Sequence, residues 1–219
     1  GMLRVRGRVP TKTLVRCTIG RRFATHEVTN QATPLENVNL YTADNVLQNA
    51  VNAFGGNWAE GVITKAGESY GSKLTMDNAH HANKFKPELC THDRFGHRID
   101  GVDFHPAYHY LMSLGKTSQL PSFAWNPFDE KGASISRVDR HVHTARAALP
   151  YIGNQIEAGT MCPLTMTYAA VPALRHCKTL SEEWVPGIVA PSYDQRDIPA
   201  SEKHGLTVGM SMTEKQGGS

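Results

Sequence analysis

Between residues 42 and 177, apolar side chains recur at every third or fourth position, in segments that glycine or proline separates. This spacing places the apolar residues of a segment on one face of an α-helix. The first four predicted helices cover residues 42–54, 58–70, 74–85 and 106–114. Thr42 is the predicted cap of the first helix, and Gly115 is the predicted end of the fourth. Because the turns between the first three helices are short, the pattern favours an antiparallel helical bundle.

Two longer predicted helices follow, and each contains a proline. The first runs from Ser136 to about Ala158, and Pro150 should kink or split it. The second covers residues 163–177 and is apolar on most sides, which is typical of a core helix, although Pro172 predicts a kink. The residues expected in the core include Trp58, Tyr108, Leu149 and Leu174. Cys162, just before the second helix, is predicted to be a buried structural cysteine.

Three segments depart from the helical pattern. Residues 89–100 place the turn residues Asp93 and Gly96 between two short arms, which predicts a small β-hairpin. Residues 185–200 carry three prolines, which indicates a connector. From Leu206 onward, apolar residues alternate with small ones, which predicts one strand that ends in a glycine-rich loop. The predicted fold class is therefore mainly α, with a hairpin excursion, followed by the first strand of a truncated β domain.

Charge is distributed unevenly along the chain. Seven of the 23 Lys and Arg residues lie before residue 27, whereas the first of the 20 acidic residues is Glu27. A basic leader without acidic residues is typical of a mitochondrial presequence, so residues 1–26 predict a matrix location. The alternatives are a basic tail or nucleic-acid arm on a cytoplasmic protein. From Glu27 onward acidic residues outnumber basic ones, so this part is not an obvious nucleic-acid binder.

Cysteine spacing and hydropathy exclude further classes. The four cysteines include no C-x-x-C pair, and a chain of 219 residues does not need disulfides for stability, so a reducing compartment is expected. Apolar runs stay well below the ~20 residues that a membrane span requires. His105 and His109, four residues apart, have the spacing of a metal-binding pair, but no third ligand is indicated. We therefore expect His105 to cap a helix and predict no metal site.

The last eight residues have the composition of a ligand-binding loop. Thr213 and Ser219 offer hydroxyl groups, and Gly217 and Gly218 let the backbone approach a ligand closely. Successive amide groups in such a loop can bind a phosphate or the polar edge of a heterocycle. The alternative is an ordinary turn at the end of a strand.

The same run resembles a known loop. Met212-Thr213-Glu214-Lys215-Gln216-Gly217-Gly218-Ser219 is similar to the flavin-and-substrate loop of acyl-CoA dehydrogenases, whose usual form is T-E-P-x-x-G-S. The Lys215-Gln216 version resembles the AidB-like branch of that family. Stretches similar to that branch occur in the same order at residues 26–31, 39–41, 104–109 and 157–167. The resemblance runs from about His26 to the last residue.

The resemblance implies three parts: the leader 1–26, an N-terminal helical domain over residues 27–204, and the start of a middle β domain over residues 205–219. It implies FAD as the cofactor. The implied cofactor-binding residues are Met212, Thr213, Glu214, Lys215, Gln216, Gly217, Gly218 and Ser219. Ser219 is also an implied substrate contact. Glu214 is expected to shape the loop by accepting local N–H bonds, because the family's catalytic base lies in a C-terminal helical domain, beyond these residues.

The activity that the resemblance implies is α,β-dehydrogenation of an acyl-CoA thioester in fatty acid metabolism, by the complete protein. Electron-transfer flavoprotein and a homotetramer are the implied partners. One alternative is an AidB-like flavoprotein with a role in the response to DNA damage and little dehydrogenase activity. Another is a non-catalytic helical module of a tetramer. Because members of the family are more than twice as long, we expect the chain to be an N-terminal portion.

Overall fold

The computed structural model describes residues 28–135, 141–211 and 213–217. Several sequence predictions fall outside these ranges: the leader 1–26, the helix start at Ser136, and the loop residues Met212, Gly218 and Ser219. The chain divides into two units, Gly1–Pro34 and Leu35–Ser219. In the first unit, residues 28–34 have no regular secondary structure.

In the described residues the second unit contains seven α-helices and two strands. The helices are α1 (Asn45–Ala53), α2 (Glu60–Tyr70), α3 (Lys73–Lys84), α4 (Pro106–Thr117), α5 (Val142–Ile156), α6 (Met161–Leu174) and α7 (Lys178–Val189). The strands are β1 (Glu88–His92) and β2 (Arg98–Asp103), and single turns of 3-10 helix cover Asn57–Ala59 and Ala200–Glu202. The mainly α fold with a hairpin is therefore as predicted.

Side-chain caps mark the starts of α1, α3 and α4. The predicted cap at Thr42 is wrong, because α1 begins three residues later and the Asp44 carboxylate accepts from the amide of Leu47 at 2.9 Å. A carboxylate at this position also complements the positive end of the helix dipole. The prediction for His105 is confirmed, since its Nδ1 atom accepts from the amide of Ala107 at 3.1 Å at the start of α4.

Helix α6 continues through a proline. Pro172 has no N–H to donate to the carbonyl oxygen of Tyr168, one turn earlier. The indole Nε1 of Trp125 donates to that oxygen instead, at 3.0 Å. The substitute hydrogen bond explains why Pro172 does not end the helix. Pro150 likewise lies inside a continuous α5, so the predicted split there is wrong.

Two other boundaries differ from the predictions. Gly115 lies inside α4, which ends at Thr117. A side chain at Gly115 would collide with Leu164 of α6, so this glycine permits close helix packing and does not end the helix. The predicted connector from residue 185 begins only after α7 ends at Val189, because Pro186 and Gly187 are both accommodated in the last turns of α7.

The core forms two clusters. The larger one contains apolar residues of α1, α2, α4, α5 and α6, including the fully buried Leu149, and partly buried Trp58 and Tyr108 pack against it. The smaller one contains Val171, Ile188 and Leu206. Leu174, like Trp58 and Tyr108, is only partly buried, and it packs against the smaller cluster. Cys162 is exposed, which contradicts the prediction, because the buried face of α6 at this point is formed by Met161 and Leu164.

An extended arm, residues 35–40, lies along α2. The amide of Leu40 donates to the carbonyl oxygen of Gly67 at 3.1 Å, and the amide of Val38 donates to that of Gly71 at 3.3 Å. Side chains at Gly67 or Gly71 would collide with this arm. The two glycines therefore allow the arm to approach the end of α2 closely.

The predicted hairpin is confirmed as an antiparallel pair of β1 and β2, with Leu89 opposite Val102 and a register shift between Cys90 and His92. Both strands are largely exposed, and Leu89, Ile99 and Val102 are exposed apolar residues within them. No helix in the described ranges is long and apolar enough to cross a bilayer.

Candidate functional site

The segment that leads to the predicted ligand loop, residues 204–211, is not a strand. Residues 206–211 have no ladder partner among the described residues, so the strand prediction is not fulfilled. A strand needs a neighbouring strand, and the described ranges contain one sheet, the hairpin of β1 and β2. Instead the segment lies against helices, and the amide of Leu206 donates to the carbonyl oxygen of Gly187 in α7 at 2.9 Å.

Lys116 of α4 contacts the start of this segment. Its side chain is fully buried, and its Nζ atom donates to the carbonyl oxygens of Ile188 at 2.7 Å and Leu206 at 3.1 Å. Burial lowers the pKa of Lys116 to about 8, because an ammonium loses hydration inside the protein. The lysine thus joins α4, the end of α7 and the start of the segment.

Thr167 of α6 makes the next contact. Its Oγ1 atom donates to the carbonyl oxygen of Pro163 at 2.7 Å and accepts from the amide of Val208 at 3.0 Å. Thr167 is also fully buried. The segment is therefore fixed at two positions, Leu206 and Val208, before it continues to the loop.

The predicted loop is an exposed tight turn over residues 213–217. The amide of Glu214 donates to the carbonyl oxygen of Gly217 at 3.0 Å, and the reverse bond measures 3.4 Å. All five residues are exposed, and the Thr213 hydroxyl has no hydrogen bond to another described residue. The amides of Lys215 and Gln216 at the tip also lack a described acceptor. The turn consequently presents one hydroxyl and two amide donors to a ligand.

Of the predicted loop residues, the structure brings Thr213, Glu214, Lys215, Gln216 and Gly217 together in this turn. Met212, Gly218 and Ser219 lie outside the described residues. The expected role of Glu214 stays a prediction. Its backbone closes the turn. The neighbouring amides of residues 212, 218 and 219, which could donate to its carboxylate, lie outside the described residues.

An aromatic surface lies beside the segment. Trp125 packs against the smaller core cluster and stacks on Tyr168, with 5.1 Å between ring centroids. The guanidinium of Arg146 lies 3.8 Å from the Tyr168 ring centroid, and that of Arg175 lies 5.1 Å from the Trp125 ring. Cation–π contacts of this kind orient both rings. The stack and the two guanidinium groups thus cover these rings and fix their place in the fold.

A cavity of about 1220 Å³ lies on another side of the segment, between α4 and the connector, and Thr207 lines part of it. His109 Nδ1 and the Tyr193 hydroxyl are 2.9 Å apart in its wall. Burial lowers the pKa of His109 and raises the pKa of Tyr193 to about 12. None of residues 213–217 lines this cavity, so it is separate from the predicted loop.

Metal binding finds no support in the described ranges, where no group of three or more His, Cys, Asp or Glu residues could hold an ion. His105 caps α4 and His109 bonds to Tyr193, so each of these two histidines has another partner.

Sequence reasoning missed Lys116 and Thr167. A signal for Lys116 was present, because it lies four residues after Met112, on the buried face of α4. A lysine at such a position needs internal acceptors for its donors. Thr167 gave no comparable signal, since threonine is common on helix surfaces.

Two solved structures of longer proteins match the fold of this chain. The apo form of Bd2924 matches with a TM-score of 0.69 and 20% identity, over 86% of this chain and 35% of that chain. Caenorhabditis elegans ACDH-11, in complex with C11-CoA, matches with a TM-score of 0.65 and 17% identity, over 90% of this chain and 32% of that chain. The chain therefore shares its fold with about a third of each of these longer proteins.

The sequence shows the family to which the chain belongs. The family model described as "Adaptive response protein AidB N-terminal domain" matches residues 30–195, so the chain belongs to that family. It is also 38% identical over 198 residues to the Escherichia coli (strain K12) protein called "Putative acyl-CoA dehydrogenase AidB". That match covers 90% of this chain and 35% of the relative, so the chain spans about a third of the relative's length.

Proposed function

We propose that the whole protein in which this chain occurs, called the intact protein below, is an FAD-dependent flavoprotein of the acyl-CoA dehydrogenase class. The chain would contribute its helical domain and first flavin-binding loop. The loop comprises Met212, Thr213, Glu214, Lys215, Gln216, Gly217, Gly218 and Ser219, and Ser219 would also contact acyl-CoA. The observation that supports this proposal is the exposed turn 213–217 at the end of a segment held by Lys116 and Thr167.

The groups in the turn fit a flavin. The Thr213 hydroxyl and the amides of Lys215 and Gln216 can donate to the nitrogen and oxygen atoms at the edge of the ring. When bound, FAD supplies an electron sink that accepts a hydride. The part of this chain is to bind and orient that group. No described residue is assigned the proton transfer from the α-carbon, and Glu214 is not proposed for it.

An acyl-CoA thioester is the proposed substrate, and α,β-dehydrogenation in fatty acid metabolism is the proposed reaction. The complex of the structural neighbour ACDH-11 with C11-CoA supports a substrate of this class. Electron-transfer flavoprotein and a homotetramer are proposed on the resemblance to the family alone.

The family offers a second candidate function. Its description as an adaptive response protein favours a role in a cellular response. The candidate that we propose for such a role is a flavoprotein that handles DNA damage and dehydrogenates acyl-CoA poorly. The acidic excess from Glu27 onward does not favour direct DNA contact by this chain.

Titration of the intact apoprotein with FAD, followed by flavin fluorescence, tests the proposal. We expect saturable binding, and we expect Thr213→Val to weaken it by about 1 kcal/mol, because the variant keeps the shape but loses one hydrogen bond. Addition of acyl-CoA without oxygen should then bleach the flavin absorbance if the dehydrogenase is active.

The control is Thr179→Val, an exposed threonine of α7 outside the loop, which should leave FAD binding unchanged. An intact protein that takes up no FAD would overturn the proposed function. Binding without bleaching by any acyl-CoA would favour the second candidate. Unchanged FAD affinity in Thr213→Val would remove Thr213 from the site.

A further inference from the structure

Lys116 and Thr167 reach the backbone of one short stretch, residues 206–208, from two different helices. The Lys116 ammonium donates to Leu206 O at 3.1 Å, and Thr167 Oγ1 accepts from Val208 N at 3.0 Å. Both side chains have 0% exposure. Neither contact follows from the core packing of apolar groups, so each requires a specific physical reason.

Burial of the Lys116 ammonium costs free energy, and the apolar core does not explain why a lysine stands at this position. The ammonium has no carboxylate partner among the described residues, and its acceptors there are the backbone oxygens of Ile188 and Leu206. A buried cation without a counter-ion costs free energy, and a methionine of similar length would fill the same space without that cost. What the lysine adds is a directional link to the backbone.

Thr167 adds a second hydrogen bond to this stretch, from a different helix. Its hydroxyl hydrogen is committed to Pro163 O at 2.7 Å, so the oxygen is available as an acceptor for Val208 N. Together with the bond from Leu206 N to Gly187 O at 2.9 Å, residues 206–208 are linked to α4, α6 and α7. Thr213 follows only five residues later, a span of at most ~17 Å.

We propose that Lys116 and Thr167 are positioning residues for the flavin-binding loop, since they fix residues 206–208 and thereby orient the turn that follows. This inference rests on the proposed function. Neither residue contacts the flavin. Their effect is to hold the loop in one place before the flavin arrives, which reduces the entropy that binding must remove.

Two measurements on the intact protein test this role. In the apoprotein, amide hydrogen exchange at Leu206 and Val208, whose amides are hydrogen-bonded in this stretch, should accelerate about tenfold in Lys116→Met and in Thr167→Val, as expected for one lost hydrogen bond of this kind. Titration with FAD should show binding weakened by about the same factor in both variants. The native bonds at Leu206 and Val208 are the ones removed.

Leu149→Ala is the matched control. Leu149 is fully buried in the larger cluster, whereas Leu206 and Val208 pack in the smaller one. The variant should lower the free energy of unfolding but leave segment exchange and FAD affinity unchanged. A merely structural role for Lys116 and Thr167 would instead make all three variants lose FAD affinity in proportion to stability.

The outcomes separate this inference from the proposed function. If the wild-type protein binds no FAD, the proposed function fails, while the exchange data still decide whether the two side chains order the segment. If exchange is unchanged in both variants, the positioning role is wrong. Faster exchange with unchanged FAD affinity also overturns it, because the ordered segment would then not matter for the flavin.

Discussion

Lys116 is a fully buried lysine, and its surroundings determine how it titrates. Its ammonium is shielded from solvent and donates to two backbone carbonyl oxygens, those of Ile188 and Leu206. Loss of hydration outweighs these two contacts, so burial lowers the pKa to about 8 from the ordinary value of 10.5. The folded protein consequently releases this proton at a lower pH than the unfolded chain.

This difference predicts a pH dependence of stability. Below pH 8 the lysine is charged in both the folded and the unfolded state, so it does not make the free energy of unfolding depend on pH. Between about pH 8 and 10.5 the unfolded chain binds the proton that the folded protein has released, so the free energy of unfolding rises with pH. The gain is on the order of a few kcal/mol.

Urea denaturation of the wild type and Lys116→Met from pH 7 to 11 measures this rise in the free energy of unfolding. The stability difference between the two proteins should shift in favour of the wild type across that window, because the methionine of the variant cannot titrate and the other groups titrate in both proteins. Parallel pH profiles would contradict the lowered pKa.

At the scale of the helices, two leucines with the same sequence signal have different environments. Leu149 of α5 is fully buried, whereas Leu174 at the end of α6 is only partly covered. We expect Leu149→Ala to cost roughly 2–5 kcal/mol, because it leaves a cavity in the packed core. Leu174→Ala should cost less than about 1.5 kcal/mol, since little apolar area is newly exposed. Chemical denaturation of both variants gives the comparison, and equal losses would place Leu174 in the core.

The sequence predicted the helices well where glycine and apolar spacing agree, as at Tyr70 and Gly71. It failed where a proline or glycine has a tertiary role. Pro172 is tolerated because Trp125 supplies the missing donor, and Gly115 admits Leu164 of another helix. Trp125 is 43 residues from the oxygen it bonds, so no local pattern contains that information.

The candidate site was predictable only in part. The loop residues follow from the resemblance, and the structure shows that 213–217 form a turn, but the contacts of Lys116 and Thr167 join residues 90 and 41 positions apart. Chain topology, which periodicity does not reveal, brings these residues together. The predicted presequence in residues 1–26 stays a prediction, because those residues lie outside the described ranges.

At the scale of the whole molecule, the described residues do not enclose the predicted flavin-binding loop. Residues 213–217 are all exposed, and a dinucleotide cofactor requires enclosure of most of its surface. We therefore expect the 219-residue chain alone to be colourless and to bind FAD weakly or not at all. Fluorescence titration of this chain beside the intact protein measures the difference. A chain that purifies with stoichiometric flavin would show that it builds the whole site itself.

The arm of residues 35–40 gives α2 an unusual end. The carbonyl oxygen of Gly71, which in most helices would meet water, accepts from the amide of Val38, and that of Gly67 accepts from the amide of Leu40 in addition to the helical bond from Gly71. The arm lies so close to Gly67 and Gly71 that a side chain at either position would collide with it. We therefore expect the arm and the last turn of α2 to lose their contacts together. They should therefore open as one cooperative unit, with common exchange rates for the amides of Val38 and Leu40. A single methyl group added at Gly71 would separate the two, so this helix end depends on residues that precede the first helix.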